Sequence, residues 1–353
     1  MARKQSKGGA RVTVRDIAEA TNFSIGTVST VLNQRHVERR IPVETAELVR
    51  ETAARLGYLP DIGARRLRSG AGARNNIVIA FITSFEAPLG VVNQFVSALR
   101  KAAVGETGGR RRSFSLLIEM FPAGRLRELP GLLSGDHFNA ALIANTTPED
   151  DLFLARTHLP YPVVLVNRSV PRYASVVEDP EGGARAAEIL VRAKRSHLAV
   201  LHGRPLTQTT RARVDSFMAA SVQLLGRPAH VVVADSLSES AAYEAMEGFF
   251  AAGGRCDGLY AVTDSLALGA YHAIRRRKWV IPDDIAVVGV GDYESSPFFD
   301  PPLTSVGVLR QQVGWEASQM LLRMLGQTGG AQPERIETPV HTVLRESTGH
   351  GQR

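Results

Sequence analysis

Short apolar runs recur along most of this chain, each bounded by polar or turn-forming residues. Ile77–Ile82, Leu116–Met120, Ala140–Ala144 and Val163–Val166 form a first group, and Leu198–Leu201, Val231–Ala234, Leu259–Val262 and Ile285–Val290 a second. A run of this length suits a buried parallel strand, and gaps of roughly 20–35 residues leave room for one crossover helix each. Eight such units predict either one closed barrel or two doubly wound sheets. Two features favour two sheets. Residues 167–179 (NRSVPRYASVVED) break the series midway with a polar stretch, as a crossing between lobes would. After the last run come a helical stretch, Gln311 to Leu325, and an extended one, Glu334 to Leu344, which a chain returning through both lobes explains.

Ahead of the first run the periodicity is helical. Thr13, followed three residues later by Asp16, predicts an N-cap with an acid in the first turn. Ile17, Ala18 and Ala20 form the apolar side of a short helix ending near Thr21, and Asn22 suits the left-handed residue of a sharp corner. Phe23 plugs that corner and Ser24 caps a second helix, in which Val28, Val31 and Leu32 share a buried face. Its other face holds Ile25, Gly26, Ser29, Thr30 and Asn33. Two short helices joined by a tight turn, the second with a small, uncharged outer face, is the geometry that seats a helix in the DNA major groove. A third amphipathic stretch, Glu44 to Leu56, sets Leu48, Val49, Thr52 and Leu56 at helical spacing and stops at Gly57. Further on, Arg65, Arg66 and Arg68 surround Leu67. An apolar wedge flanked by arginines is what a minor-groove contact uses to open a base step. The same string also describes an ordinary charged linker.

Charge sharpens this division. Of 353 residues, 42 are Lys or Arg and 35 are Asp or Glu, a net charge of +7. Residues 1–74 hold 14 of the basic and 7 of the acidic residues, so the whole excess lies there and residues 75–353 are neutral. A basic head before a neutral body fits a polyanion partner, or a solvated basic face without one. An apolar share of 44% suffices for packed cores. A single cysteine, Cys256, excludes a disulfide framework and a cysteine-based zinc site. No apolar run approaches the ~18 residues of a membrane span. The basic start leads into no apolar signal segment, so a cytoplasmic protein is expected. Phosphate-loop, HExxH and GxSxG strings are absent, and the nine histidines do not cluster at ligand spacings. Neither catalytic residues, nor a metal, nor a cofactor are expected.

The motifs together carry a resemblance. Residues 12–34 (VTVRDIAEATNFSIGTVSTVLNQ), then 56–70 (LGYLPDIGARRLRSG), resemble the DNA-binding head and hinge of the LacI/GalR family of transcriptional regulators. The resemblance continues through Pro162–Arg168, Asp179–Arg185, Thr263–Ala270, Ile281–Gly289, Pro301–Val306 and Leu344–Thr348. It implies an all-α helix-turn-helix head with a basic arm (1–60), a hinge (61–74), and a two-lobed, doubly wound α/β body like periplasmic binding proteins (75–353). It also implies that Ile25, Gly26 and Thr30 face bases. Thr13, Ser24, Thr27, Ser29 and Asn33 would grip the DNA backbone, and His36 would face DNA from the next loop. Leu67, between Arg65 and Arg68, would be the wedge. The loop Glu38–Val43 is longer and more basic than the family pattern, and Gly26 offers no side chain for base readout.

In open parallel sheets ligands bind beyond the C-terminal ends of the strands, and between two lobes the cleft is the expected site. That selects Thr83, Ser84 and Phe85, Asn145, Asn167, His202, Gly203 and Arg204, Thr263 and Asp264, and Gly291, Asp292 and Tyr293. The resemblance adds Arg213 as an effector ligand. An arginine fork suits vicinal hydroxyls or a carboxylate, while a surface ion pair is the other use of that residue. Two positions depart from the family: Thr263 stands where Asn is usual, and Gly291 where a sugar-binding Asp is usual. The expectation is a homodimeric repressor that binds a palindromic double-stranded operator under control of a small molecule, a sugar or sugar derivative. No leucine-heptad tail follows Leu344, so a dimer is expected rather than a tetramer. The alternative is a solute-binding protein or small-molecule enzyme with an incidental basic arm.

Overall fold

The computed structural model describes residues 12–32, 39–56, 58, 76–87, 89–105, 113–135, 137–307, 312–326 and 333–350. The expected hinge, 61–74, lies outside them, as do Asn33, His36, Arg65, Leu67 and Arg68.

The head is three helices: α1 (Val14–Thr21), α2 (Ile25–Leu32) and α3 (Val43–Leu56). Thr13 caps α1 reciprocally, its amide donating to Asp16 Oδ2 at 2.7 Å while the Asp16 amide reaches its hydroxyl at 3.4 Å. Asn22 closes α1 at φ 60°, in the left-handed region. Ser24 starts α2 by accepting the Thr27 amide at 3.0 Å. Ile17 and Ala18, Val28 and Val31, and Ala46, Val49 and Ala53 form the core of the head. The inner stripe of α3 differs from the expected one. Leu48 is 47% and Leu56 37% exposed, while the smaller Ala46 and Ala53 sit inside with Thr52. Three short helices enclose little volume, and side chains the size of alanine fill it where helices approach closely.

The body is two six-stranded sheets, so the single-barrel alternative does not hold. The first contains β1 (Asn76–Ser84), β2 (Ser113–Phe121), β3 (Ala140–Ile143), β4 (Val163–Val166), β5 (Ala174–Glu178) and, from far along the chain, β11 (Arg335–Thr338). Its order is β11-β5-β4-β3-β1-β2, all parallel. The second contains β6 (Leu198–Gly203), β7 (His230–Ala234), β8 (Gly258–Val262), β9 (Ala286–Val290), β10 (Thr304–Gly307) and β12 (His341–Val343). Its order is β12-β10-β9-β8-β6-β7, with only β12 antiparallel to its neighbour.

Helices cover both faces of each sheet. Along β1, Ile79 and Phe81 pack with Phe95 and Leu99 of α4 (Leu89–Gly105) and Ala317, Met320 and Leu321 of α10 (Gln312–Gly326). Ala80 and Ile82 point the other way, toward Phe121, Phe138 and Leu154, the last on α5 (Pro148–Arg156). In the second sheet Ala199 and Leu201 meet α8 (Glu239–Ala251) and α9 (Asp264–Arg276). Leu198 and Val200 meet α6 (Gly182–Arg192) and α7 (Gln208–Leu225). Burial on both faces is why these strands read as unbroken apolar runs. Each large side chain so enclosed contributes about 1.5–3 kcal/mol.

Between β5 and α6 the chain leaves the first lobe. It returns between β10 and α10, and crosses again between β11 and β12. Helices α6 and α7 touch most closely at Gly183, where an added Cβ would overlap the Arg213 carbonyl oxygen and lie 2.6 Å from the Phe217 amide nitrogen. Gly183→Ala is therefore expected to cost about 1–3 kcal/mol, read as a lower urea midpoint. An unchanged midpoint would mean that the two helices do not meet this tightly.

Candidate functional site

In the head, α2 turns its N-terminal half outward. Ile25 is 52% exposed, and Gly26 beside it is also exposed. Several hydroxyls here already have local partners. Ser24 Oγ and Thr27 Oγ1 share a hydrogen bond of 2.9 Å, and Thr30 Oγ1 donates to the Gly26 carbonyl at 2.8 Å. The Thr13 hydroxyl belongs to the α1 cap, donating to Asp16 Oδ2 at 2.8 Å. Arg15, Arg39 and Arg40 are exposed. The outer face of α2 is thus uncharged, and the positive charge lies on flanking segments.

In the body, strand ends from both sheets meet at one cleft. The first sheet supplies Asn145 after β3, Asn167 and Arg168 after β4, and Glu178 at the end of β5. The second supplies Thr263 after β8 and Gly291 and Tyr293 after β9. Thr207, Thr209, Thr210 and Arg213 come from the start of α7, with Phe95 of α4 and Val313 and Gly314 of α10 completing the wall. Asn145 and Asn167 sit at φ 55° and 56°, a left-handed conformation that Asn adopts more readily than most residues. Asn145 donates to Thr83 Oγ1 at 2.9 Å.

Arg213 does not lie on the surface. Its Nε and Nη2 donate to the two oxygens of Glu178, the latter at 2.6 Å, and the two side chains are 13% and 7% exposed. Burial pulls the guanidinium down, and the facing carboxylate more than reverses this, leaving it above its ordinary value. The pair joins the lobes, because Glu178 ends a first-sheet strand and α7 packs on the second sheet. Two more contacts follow the same seam. Thr209 Oγ1 donates to the Asn167 carbonyl, and the Ser169 amide donates to Gln208 Oε1 at 3.1 Å. Arg168 is 1% exposed and donates to the carbonyls of Val166 at 2.9 Å and Thr146 at 2.8 Å. Burial lowers its pKa to about 10, against the pull of Asp151 and Asp150.

Not every strand-end candidate lines this cleft. Asn167, Arg213, Thr263 and Tyr293 do; Ser84, Phe85, His202, Asp264 and Asp292 are not among its lining residues. Ser84 is buried and Phe85 is 61% exposed. Asp264 is a strut. Its Oδ2 accepts from the Tyr293 amide at 3.0 Å and from Ser296 Oγ at 2.6 Å, and its Oδ1 accepts from Ser305 Oγ at 2.9 Å. Asp292 is held by Arg345 at 2.6 Å. Gly291 stands at φ 115°, and a Cβ there would press on the Tyr293 ring. The space beside Gly291 is therefore filled by the aromatic ring of Tyr293, two residues on. Glu178 went unrecognised in the sequence, since nothing local pairs it with an arginine 35 residues away.

A model of the periplasmic binding protein-like domain matches residues 187–348. The HTH-type transcriptional repressor PurR of Mannheimia succiniciproducens is 25% identical over 342 residues, covering 95% of this chain and 98% of its own. The ribose operon repressor of Bacillus subtilis also matches at 25% over 342 residues, with 95% and 98% covered. Among solved structures, the lac repressor dimer bound to operator and the anti-inducer ONPF gives a TM-score of 0.66 at 23% identity, covering 96% of this chain and 99% of that one. Among the described residues no helix is long and apolar enough to cross a membrane, and no group of three metal-ligating side chains forms.

Removing the Asp264 strut would strand a buried amide and two hydroxyls. Asp264→Ala is expected to lower stability by about 2–4 kcal/mol in urea titration. A loss below about 0.5 kcal/mol, the range of an ordinary surface change, would show that the Tyr293 loop holds itself.

Proposed function

We propose that this chain, a member of the LacI/GalR family of transcriptional regulators, represses transcription by binding an operator through its helix-turn-helix head, under control of a small molecule held between the lobes. The observation that carries this reading is the pairing of two features in one chain. One is a three-helix head whose second helix faces solvent with uncharged residues; the other is a cleft lined from both sheets.

In this reading α2 enters the major groove. Exposed Ile25 makes apolar contact with base edges, and Gly26 lets the backbone approach. Thr13, Ser24, Thr27 and Ser29 contribute contacts to the sugar-phosphate backbone. Arg15, Arg39 and Arg40 add affinity and salt dependence with little sequence choice. Asn33, His36, Arg65, Leu67 and Arg68 complete the DNA contacts by family resemblance. Two copies reading the two half-sites of a palindrome require a two-fold dimer.

The body offers surfaces for that dimer. An exposed apolar edge strand invites pairing or cover. Edge strand β2 leaves Leu116 39% and Ile118 43% exposed, and edge strand β7 leaves Val231 48% and Val233 38% exposed. Val222 and Leu224 of α7 are exposed as well. The effector, a sugar or sugar derivative, sits against Asn167, Arg213, Thr263 and Tyr293. It acts by favouring one angle between the lobes over another. A regulator of this kind works in the cytoplasm, where its operator is.

Ile25→Ala is expected to weaken operator binding by about 1–3 kcal/mol and to leave non-specific DNA affinity and its salt slope unchanged in competition binding assays. Equal losses on both DNAs would remove α2 from base reading. The double variant Ile118→Lys, Val233→Lys is expected to elute at monomer mass in light scattering. A retained dimer mass would place the interface elsewhere.

A further inference from the structure

The charged side chains of the cleft are paired within the protein. Arg213 reaches across the lobes with two of its three nitrogens committed to Glu178 in a nearly buried, two-point ion pair. Arg168, the other cation in the wall, is 1% exposed, with Nε and Nη1 donating to protein oxygens and Asp150 and Asp151 acting on its charge. Acidic groups nearby are likewise spent, Asp264 on three donors and Asp292 on Arg345. The field a ligand meets is therefore close to neutral.

The groups left open are mostly acceptors. Asn167 Oδ1 is buried without a hydrogen-bond partner. The Glu178 carboxylate retains lone pairs beyond the two that Arg213 uses. A ligand that satisfies these atoms must bring hydroxyl or N–H donors. A carboxylate brings none and a phosphate group at most one or two, and either would lose its hydration to meet an arginine that is already paired with a carboxylate.

We propose that Glu178 is a charge filter: by neutralising Arg213 within the cleft, it restricts the effector to uncharged molecules rich in hydroxyl or N–H donors and excludes sugar acids and phosphorylated compounds. This rests on the reading of the cleft as the effector site. Glu178 thus sets specificity through Arg213.

The test uses the full chain and inorganic phosphate as the probe, in thermal melts at constant ionic strength. Wild-type protein is expected to show no saturable rise in melting temperature with phosphate. Glu178→Gln, which keeps the shape and removes the charge, is expected to gain one. The double variant Glu178→Gln, Arg213→Gln is expected to lose it again. Glu178→Ser serves the same purpose if Glu178→Gln melts too low to assay. A folded single variant that gains no phosphate response would overturn the proposal. So would a wild-type response that the double variant lacks. Operator binding by wild type in the presence of matched pairs, such as ribose and ribose 5-phosphate or glucose and glucuronate, separates this from the broader reading. A charged member that changes operator affinity upholds the effector site and refutes the filter. A phosphate response gained by Glu178→Gln, with operator affinity unmoved by neutral and charged members alike, upholds the filter's electrostatics and refutes effector control by these compounds.

Discussion

A parallel sheet must be covered on both faces, and in this body that requirement decides where polar chemistry can occur. Strands such as β3, β4, β8 and β9 are buried along their whole length. Apart from Tyr260 on β8, whose ring packs in the core, their faces carry no side chain that needs hydrogen bonds. Such side chains stand instead where the strand ends and the chain turns. Asn145, Asn167 and Thr263 occupy such ends, the two asparagines in left-handed turns. The cleft collects these ends from both sheets because the chain passes between the lobes three times.

That crossing pattern also explains the seam between the lobes. The first crossing leaves from Glu178 and leads into α6, which packs against α7, the helix carrying Arg213. The close approach at Gly183 brings α6 onto the backbone of Arg213 itself. A buried ion pair is weak evidence for stability, since desolvation offsets much of its attraction. Its geometric demand is strict, however. Two parallel hydrogen bonds hold one lobe relative to the other, and Thr209 and Gln208 add further bonds along the same line. In the proposed regulator, a ligand touching Arg213 or Asn167 touches the seam directly, so binding energy and lobe angle are coupled without any long relay.

Much of the body was legible in the sequence for the same reason. Two-faced burial writes continuous apolar runs, and all eight expected runs fall on strands. Two further strands were not foreseen. β5 lay inside what read as a polar break, its Ser175 and Glu178 diluting three apolar neighbours. β10 carries Thr304 and Ser305, whose hydroxyls bond to Arg345, Thr348 and Asp264. Hydroxyls satisfied by distant partners leave no periodic trace. The outward position of Leu48 and Leu56 was likewise hidden, because spacing alone does not say which of two apolar stripes on α3 faces the core that Ala46, Val49 and Ala53 line. At the cleft, strand ends were predictable, whereas helix-borne walls such as Phe95 and Val313, and the partner of Arg213, depended on tertiary approach. Asp264 shows the limit of position as a guide: it stands at the strand end, yet its carboxylate is turned into the loop it supports.

In the proposed regulator, lobe angle and operator binding are two readings of one equilibrium. Spin labels at exposed Arg127 and Arg276, each replaced by cysteine, would report the distance between the lobes. The native Cys256 is a poor competitor for the label, since burial raises its thiol to about 12. Adding operator DNA is expected to narrow the distance distribution and shift its centre relative to non-specific DNA of the same length. Identical distributions on both DNAs would contradict coupling between the head and the cleft.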